Sequence, residues 1–153
     1  TYALGSGIRQ SGGAFTLNHV TIAHNTGGSG FSAYSADVYA AYNSIAWGNV
    51  GHSGFSQPTT SAECNIDSGA NAGIAVDPQF IAPGSGENYH LSDTSPAIDA
   101  CLTGQASDLD GYARPVGAAY DMGAYEFQLN ELPTPTPTET PSDVDPGHTQ
   151  LYR

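Results

Sequence analysis

The residues with the most direct chemical promise are carboxylates in the second half of the chain. Asp108-Leu109-Asp110-Gly111 opens like a calcium-binding loop, and Asp121 and Glu126 follow closely enough to add oxygens. Calcium takes about six to eight oxygen ligands, and an Asp-x-Asp-Gly start supplies some of them around a tight glycine turn. The third carboxylate and the closing glutamate of a complete EF-hand loop are missing. The competing expectation is therefore an ordinary Asp-Gly surface turn. As a metal site the spacing points to calcium held by Asp108, Asp110 and Asp121.

Arg114 stands among these acids and is the only arginine between residues 10 and 152. A guanidinium fork between carboxylates makes a strong internal clasp. Its expected partners are Asp99 and Glu126, and its expected role is structural rather than catalytic. Cys64 and Cys101 lie 37 residues apart with no CxxC motif, which disfavours a metal site. Either they form a disulfide or they are small buried hydrophobes. The acidic, lysine-free composition leans toward an oxidising compartment and toward pairing.

Other chemistries have little support. The chain holds no GxSxG and no HExxH, and its five histidines (His19, His24, His52, His90, His148) show no ligand spacing. His19 and His24, five apart in one presumed strand, are expected on opposite sides and as ordinary polar residues. A lyase or hydrolase acting on acidic sugars would have to attract a polyanion with a chain of net charge −12. The expectation is that the protein is not an enzyme. The same charge argues against nucleic acid and anionic membrane surfaces as partners. No run of apolar residues is long enough to span a bilayer. Tyr34, Tyr39, Tyr42 and Trp47 cluster and offer a sugar-stacking face, although strands favour aromatics for packing alone.

The elements that position these residues are short strands. Nineteen glycines, together with Ser, Thr and Asn, suit turns and disfavour helices. Phe15 to Asn25 recurs loosely as Tyr39 to Asn49. Matching Asn25 with Asn49 gives a period of 24, whereas matching Ile22 with Ile45 gives 23. A bulge would reconcile the two. Phe15, Leu17, Val20 and Ile22 are expected to point inward, with Thr16 and Thr21 outward. A repeat in the low twenties with Asn at the turns predicts a solenoid, with a small β-sandwich as the alternative.

The second half carries an ordered set of motifs. They are Asp77-Pro78-Gln79-Phe80, Tyr89-His90-Leu91-Ser92, Ser95-Pro96-Ala97-Ile98-Asp99-Ala100, Asp108 to Pro115, and Asp121-Met122-Gly123-Ala124-Tyr125-Glu126-Phe127. In this order they resemble the C-terminal region of bacterial surface proteins built from right-handed parallel β-helix repeats, the choice-of-anchor Q type. Ser44 to Asn49 resembles their last regular coil. Cys101 departs from the pattern, where the family usually has glycine. The resemblance implies an all-β fold: a short right-handed parallel β-helix over residues 1–127 with an irregular C-terminal cap. It also implies an extracellular or cell-surface location.

Residues 128–153 read as an extended tail. Leu132 to Pro141 is a Pro-Thr repeat, which favours polyproline II. Thr134, Thr136, Thr138 and Thr140 are candidate O-glycosylation sites. Thr1 is not a start residue, so a processed subunit or a piece of a longer surface protein is expected. Residues 1–8 enter the repeat without a polar lead-in. An uncapped solenoid end invites pairing with another chain. The expected function is a non-enzymatic extracellular structural module that assembles with copies of itself into a filament or surface layer, by coil stacking and tail docking. A glycan-binding, adhesin-like domain is the alternative, and calcium is the one cofactor considered.

Overall fold

A computed structural model describes residues 7–10, 12–27, 30–33, 38–51, 55 and 61–129. The described fold is all-β, with parallel sheets in its first half. The first pass of the chain runs through β1 (Ile8–Gln10), β2 (Ala14–Asn18) and β3 (Thr21–Ala23). The second runs through β4 (Phe31–Ala33), β5 (Val38–Tyr42) and β6 (Ile45–Trp47). The third bridges at Phe55 and continues through β7 (Ser61–Glu63) and β8 (Ile66–Asp67). Equivalent strands pair in parallel: β1 with β4, β5 between β2 and β7, and β6 between β3 and β8.

Between the first and second passes the period is 24 in the two main sheets, with Phe15 opposite Tyr39 and Thr21 opposite Ile45; between the second and third it is 21, with Ala40 opposite Ser61 and Ile45 opposite Ile66. Ile22 therefore faces Ala46, so aligning it with Ile45 is one residue out. No bulge interrupts either ladder; the shorter period of 23 belongs to β1 and β4, where Ile8 meets Phe31.

Each pass turns its corner with one left-handed residue. His19 (φ 53°), Asn43 (φ 52°) and Cys64 (φ 55°) follow β2, β5 and β7. His24 (φ 53°) and Gly48 (φ 65°) do the same after β3 and β6. Asn tolerates this conformation because its short side chain bonds locally, and Gly adopts it freely. The corners are tied from pass to pass. The Val20 N–H donates to Ser44 Oγ at 3.1 Å, and the Ser44 N–H donates to Asn65 Oδ1 at 2.8 Å. Asn49 Oδ1 accepts from both the backbone and the side chain of Asn25, at 3.0 and 2.8 Å. The repeated asparagines thus satisfy backbone groups that a bend would otherwise strand.

Two apolar clusters flank the sheet of β3, β6 and β8. One lies within the passes: Leu17, Ile22, Phe31, Ala41, Ala46, Phe55 and Ala72, with Phe15 stacked on Phe31 at 5.7 Å. The other lies between that sheet and the C-terminal part: Ile45, Ile66, Phe80, Leu91, Ala97, Cys101 and Met122. Leu17 and Ile22 are buried, Phe15 and Val20 are half-buried, and Thr16 is exposed, as alternation predicts. Thr21 departs from it: this half-buried residue accepts the Ala124 N–H at 3.0 Å.

The C-terminal part, the cap, begins with an antiparallel pair, β9 (Phe80–Ala82) and β10 (Asn88–Leu91). A 3-10 turn at Gly84–Gly86 joins them, and it is the single helical element among the described residues. Irregular chain follows, held by bridges Cys101–Tyr120 and Ser107–Ala113. The proline-containing motifs lock it down. Pro78 is fully buried, and its carbonyl accepts the Ser95 hydroxyl at 2.6 Å.

Candidate functional site

The densest polar chemistry lies where the cap meets the first two passes. Arg114 is buried, and its Nη1 sits 2.8 Å from Nδ1 of His19. A guanidinium can only donate, so Nδ1 accepts and the imidazole proton resides on Nε2. Nη1 also donates to Glu126 Oε2 and to the Asp121 carbonyl, both at 3.2 Å. Nη2 donates to the Gly123 carbonyl at 2.9 Å.

The surrounding carboxylates are used up by backbone donors. Asp121 accepts from the N–H groups of Asp99 (2.7 Å) and Phe127 (2.6 Å). Asp108 accepts from Tyr112 (2.8 Å) and Glu126 (3.1 Å). Glu126 accepts from Val116 (2.8 Å) and Asp121 (3.2 Å). The irregular cap thus uses buried acids where regular structure would use ladders.

The clasp anticipated around Arg114 exists with one change. Its carboxylate partner is Glu126, not Asp99. Asp99 is an exposed left-handed corner (φ 53°) whose Oδ1 accepts the Ala119 N–H at 2.8 Å. It joins the network through its own N–H, donated to Asp121. His19, expected to be an ordinary polar residue, is a buried member of the same cluster. Its corner position is what aims it at the cap.

Burial, and then the Arg114 charge, lower the His19 pKa to about 4. Burial raises Asp121 to about 6, against the two backbone donors that hold it down. Burial also lowers the Arg114 pKa, with the charges of Glu126, Asp108 and Asp121 opposing the shift.

The three residues expected to hold calcium are divided. Asp108 and Asp121 bind backbone N–H groups, and Asp110 pairs with His90, Oδ2 to Nε2 at 2.7 Å. Among the described residues no group of three or more His, Cys, Asp or Glu side chains is placed to hold a metal ion.

Cys64 and Cys101 form a disulfide. It joins the third-pass corner to the cap. Thr134, Thr136, Thr138 and Thr140 lie outside the described residues, as do His52, His148, Tyr34 and the rest of the tail from residue 130. Trp47 is half-buried against the cap cluster rather than displayed for a ligand.

Composition and spacing did not signal Asp67. This fully buried carboxylate closes the third pass by accepting four N–H groups: Phe55 at 3.1 Å, Gly69 and Ala72 at 2.9 Å, and Asn71 at 2.8 Å. Its neighbours in the ladders of the first two passes are the apolar Ile22 and Ala46. The end of the stack at the third pass is therefore plugged with satisfied polar groups, and Ile66 bridges onward to Ile74. At the other end, among the described residues, β1, β2 and β3 have one strand partner each. Ile8, Phe15 and Val20 remain half-buried there.

Two of the grooves among the described residues flank the stack. One of about 310 Å³ lies between Val20–Ala23 and the cap residues Tyr89, Leu109, Ala124 and Tyr125. Tyr125 is stacked on His90 at 4.1 Å, and His90 is fixed by Asp110 and by Asn88 Oδ1 at 2.7 Å. The other, about 810 Å³, lies beside the third pass and is lined by Ala62, Glu63, Ile74, Leu102 and Met122 among others.

No protein-family model, no curated protein and no solved structure matches the chain.

Proposed function

We propose that the chain is a short right-handed parallel β-helix of the choice-of-anchor Q kind, and that it serves as a non-enzymatic structural module outside the cell or on its surface. Copies associate through the end of the stack formed by β1, β2 and β3, into a filament or surface layer. The observation that carries this reading is the asymmetry of the two ends. One is plugged by Asp67 and its four donors. At the other, among the described residues, the strands have one partner each and Ile8, Phe15 and Val20 are half-buried. Unpaired parallel edges are templates for further strands.

The Cys64–Cys101 disulfide supports an oxidising location. The non-enzymatic reading is supported by the carboxylates of Asp67, Asp108, Asp121 and Glu126, whose every oxygen accepts a hydrogen bond inside the fold. The segment beyond residue 129 is assigned a further contact between copies. Light scattering across a concentration series tests the proposal. Mass should grow with concentration, and a chain truncated after Gln128 should assemble less. A constant monomer mass would refute self-association.

One observation favours a second reading, a glycan-binding surface domain. Tyr125 is clamped by His90 on one side and lines the smaller groove together with Tyr89. Rigid aromatic walls suit neutral sugar rings. Binding of neutral oligosaccharides that is lost in Tyr125→Ala would support it over the structural reading.

A further inference from the structure

The smaller groove has a charge pattern of its own. Its walls include Thr21, Ile22 and Asn25 on the stack and Tyr89, Ala124 and Tyr125 on the cap, and none of its lining residues carries a charge. The chain as a whole has a net charge of −12. A charge-free lining gives an ionised ligand nothing to pair with, so burying one there would cost its hydration uncompensated. At about 310 Å³ the groove lies at the small end of the range for ligand clefts, about 300–1,000 Å³.

Acids stand at its edge. Leu109 lines the groove, and its N–H donates to the Ala124 carbonyl at 2.9 Å, which sets the next residue, Asp110, at the rim. Asp110 is exposed, and its Oδ2 meets His90 Nε2 at 2.7 Å. Burial raises the Tyr125 pKa, and the charges of Asp110 and then Asp108 add to the rise. The negative field thus reaches a tyrosine that lines the groove.

Both tyrosines are braced by their neighbours. Tyr125 stacks on His90 with ring centroids 4.1 Å apart. The His90 ring is held at both nitrogens, by Asp110 and by Asn88 Oδ1 at 2.7 Å, and that same amide oxygen accepts the His90 N–H at 3.1 Å. Tyr89 meets Phe80 edge to face at 5.4 Å and lies 6.0 Å from the ring of His24. Rings fixed before binding lose little freedom when a ligand arrives. Their flat faces suit the C–H face of a sugar ring, and Thr21 and Asn25 offer a hydroxyl and an amide to its hydroxyls.

On the glycan-binding reading above, we infer that the groove takes a short stretch of an uncharged glycan and rejects acidic ones, with Asp110 as the rejecting charge and His90 as the residue that positions Tyr125. The ligand is a neutral oligosaccharide whose rings lie against Tyr125 and Tyr89. Uronates and sulfated sugars meet Asp110 and find no cation in the groove lining.

The test titrates the full chain by isothermal calorimetry with cellohexaose, mannohexaose and maltohexaose, and with hexagalacturonate as the acidic probe. At least one neutral chain should bind about tenfold or more tightly than hexagalacturonate in dilute buffer. Raising the salt to about 1 M should shrink that gap and leave neutral affinity unchanged, because screening acts on the charged ligand alone. This arm needs no variant. Asp110→Asn should cut the neutral-to-acidic ratio at least about fivefold. His90→Ala should weaken neutral binding at least about fivefold, and His90→Phe, which returns a ring to the face of Tyr125, should recover it. Hexagalacturonate binding as tightly as the neutral chains would overturn the inference, as would a ratio unmoved by Asp110→Asn. Neutral binding unmoved by His90→Ala would overturn the positioning role. Those results leave glycan binding standing, whereas no binding by any of the four probes removes both.

Discussion

Nη1 of Arg114 lies 2.8 Å from Nδ1 of His19, a residue ninety-five positions earlier in the chain. This contact brings the corner of the first pass to the middle of the cap. The guanidinium has no exposed side-chain surface, nor does its partner Glu126. Removing one member of a buried pair leaves the other charge uncompensated. Arg114→Met should therefore lower unfolding free energy by about 3–5 kcal/mol. Arg114→Lys should recover part of this, because one ammonium cannot reach the acceptors that the fork spans. Denaturant titration checks both. A loss below about 1 kcal/mol for Arg114→Met would show that the cluster does not hold the cap.

The same cluster predicts an unusual pH profile. His19 titrates near 4 in the folded chain, below its ordinary 6.5. It binds its proton more readily when unfolded, so its contribution to stability is full above 6.5 and is lost as pH falls toward 4. Asp121 titrates near 6, above its ordinary 3.8. The folded state binds that proton more readily, so stability is gained as pH falls from 6 toward 3.8. Each arm is worth about 3 kcal/mol, with opposite sign over nearly the same window. These two groups should therefore cancel between about pH 6 and pH 4. His19→Asn should make stability rise on acidification across that window, and Asp121→Asn should make it fall. Thermal melts at closely spaced pH values read the slopes. Equal slopes in both variants would contradict the assignment.

Asp67 predicts a large local effect. Replacing it with Asn puts an amide NH2 where two N–H groups, from Asn71 and Ala72, now find an acceptor. Buried donors left facing donors cost about 1–3 kcal/mol each. Asp67→Asn should lower stability by about 2–4 kcal/mol and speed amide exchange at residues 69–72 in hydrogen-exchange mass spectrometry.

The disulfide ties the third-pass corner to the cap, so Cys64→Ala with Cys101→Ala should cost about 2–5 kcal/mol. The same loss should appear on reducing the native protein. Chelators are expected to leave the melting temperature unchanged, because backbone N–H groups already occupy the oxygens of Asp108 and Asp121. A drop on chelation, reversed by calcium, would restore the metal reading.

The parallel strands were legible in the sequence because the passes repeat side chains with similar duties. Asn25 and Asn49 are spaced by the 24 residues that separate the first two passes in the main sheets, and they bond to each other. Ile22 and Ile45 misled because adjacent columns of one strand face the two different clusters, so both attract isoleucine. The Arg114–Glu126 pairing was readable from a single arginine amid acids. Asp99 was a false partner because spacing cannot show that a corner turns its carboxylate toward a local N–H. His19 and Asp67 were missed for a related reason. Their roles come from a left-handed corner and from the end of a stack, neither of which leaves a local pattern.

The central claim is that the molecule assembles through its first-pass end, and electron microscopy of the purified full chain in dilute buffer tests it most directly. Filaments or sheets of uniform width, unchanged by chelator, are the expected result. Dispersed single particles at every concentration would contradict it.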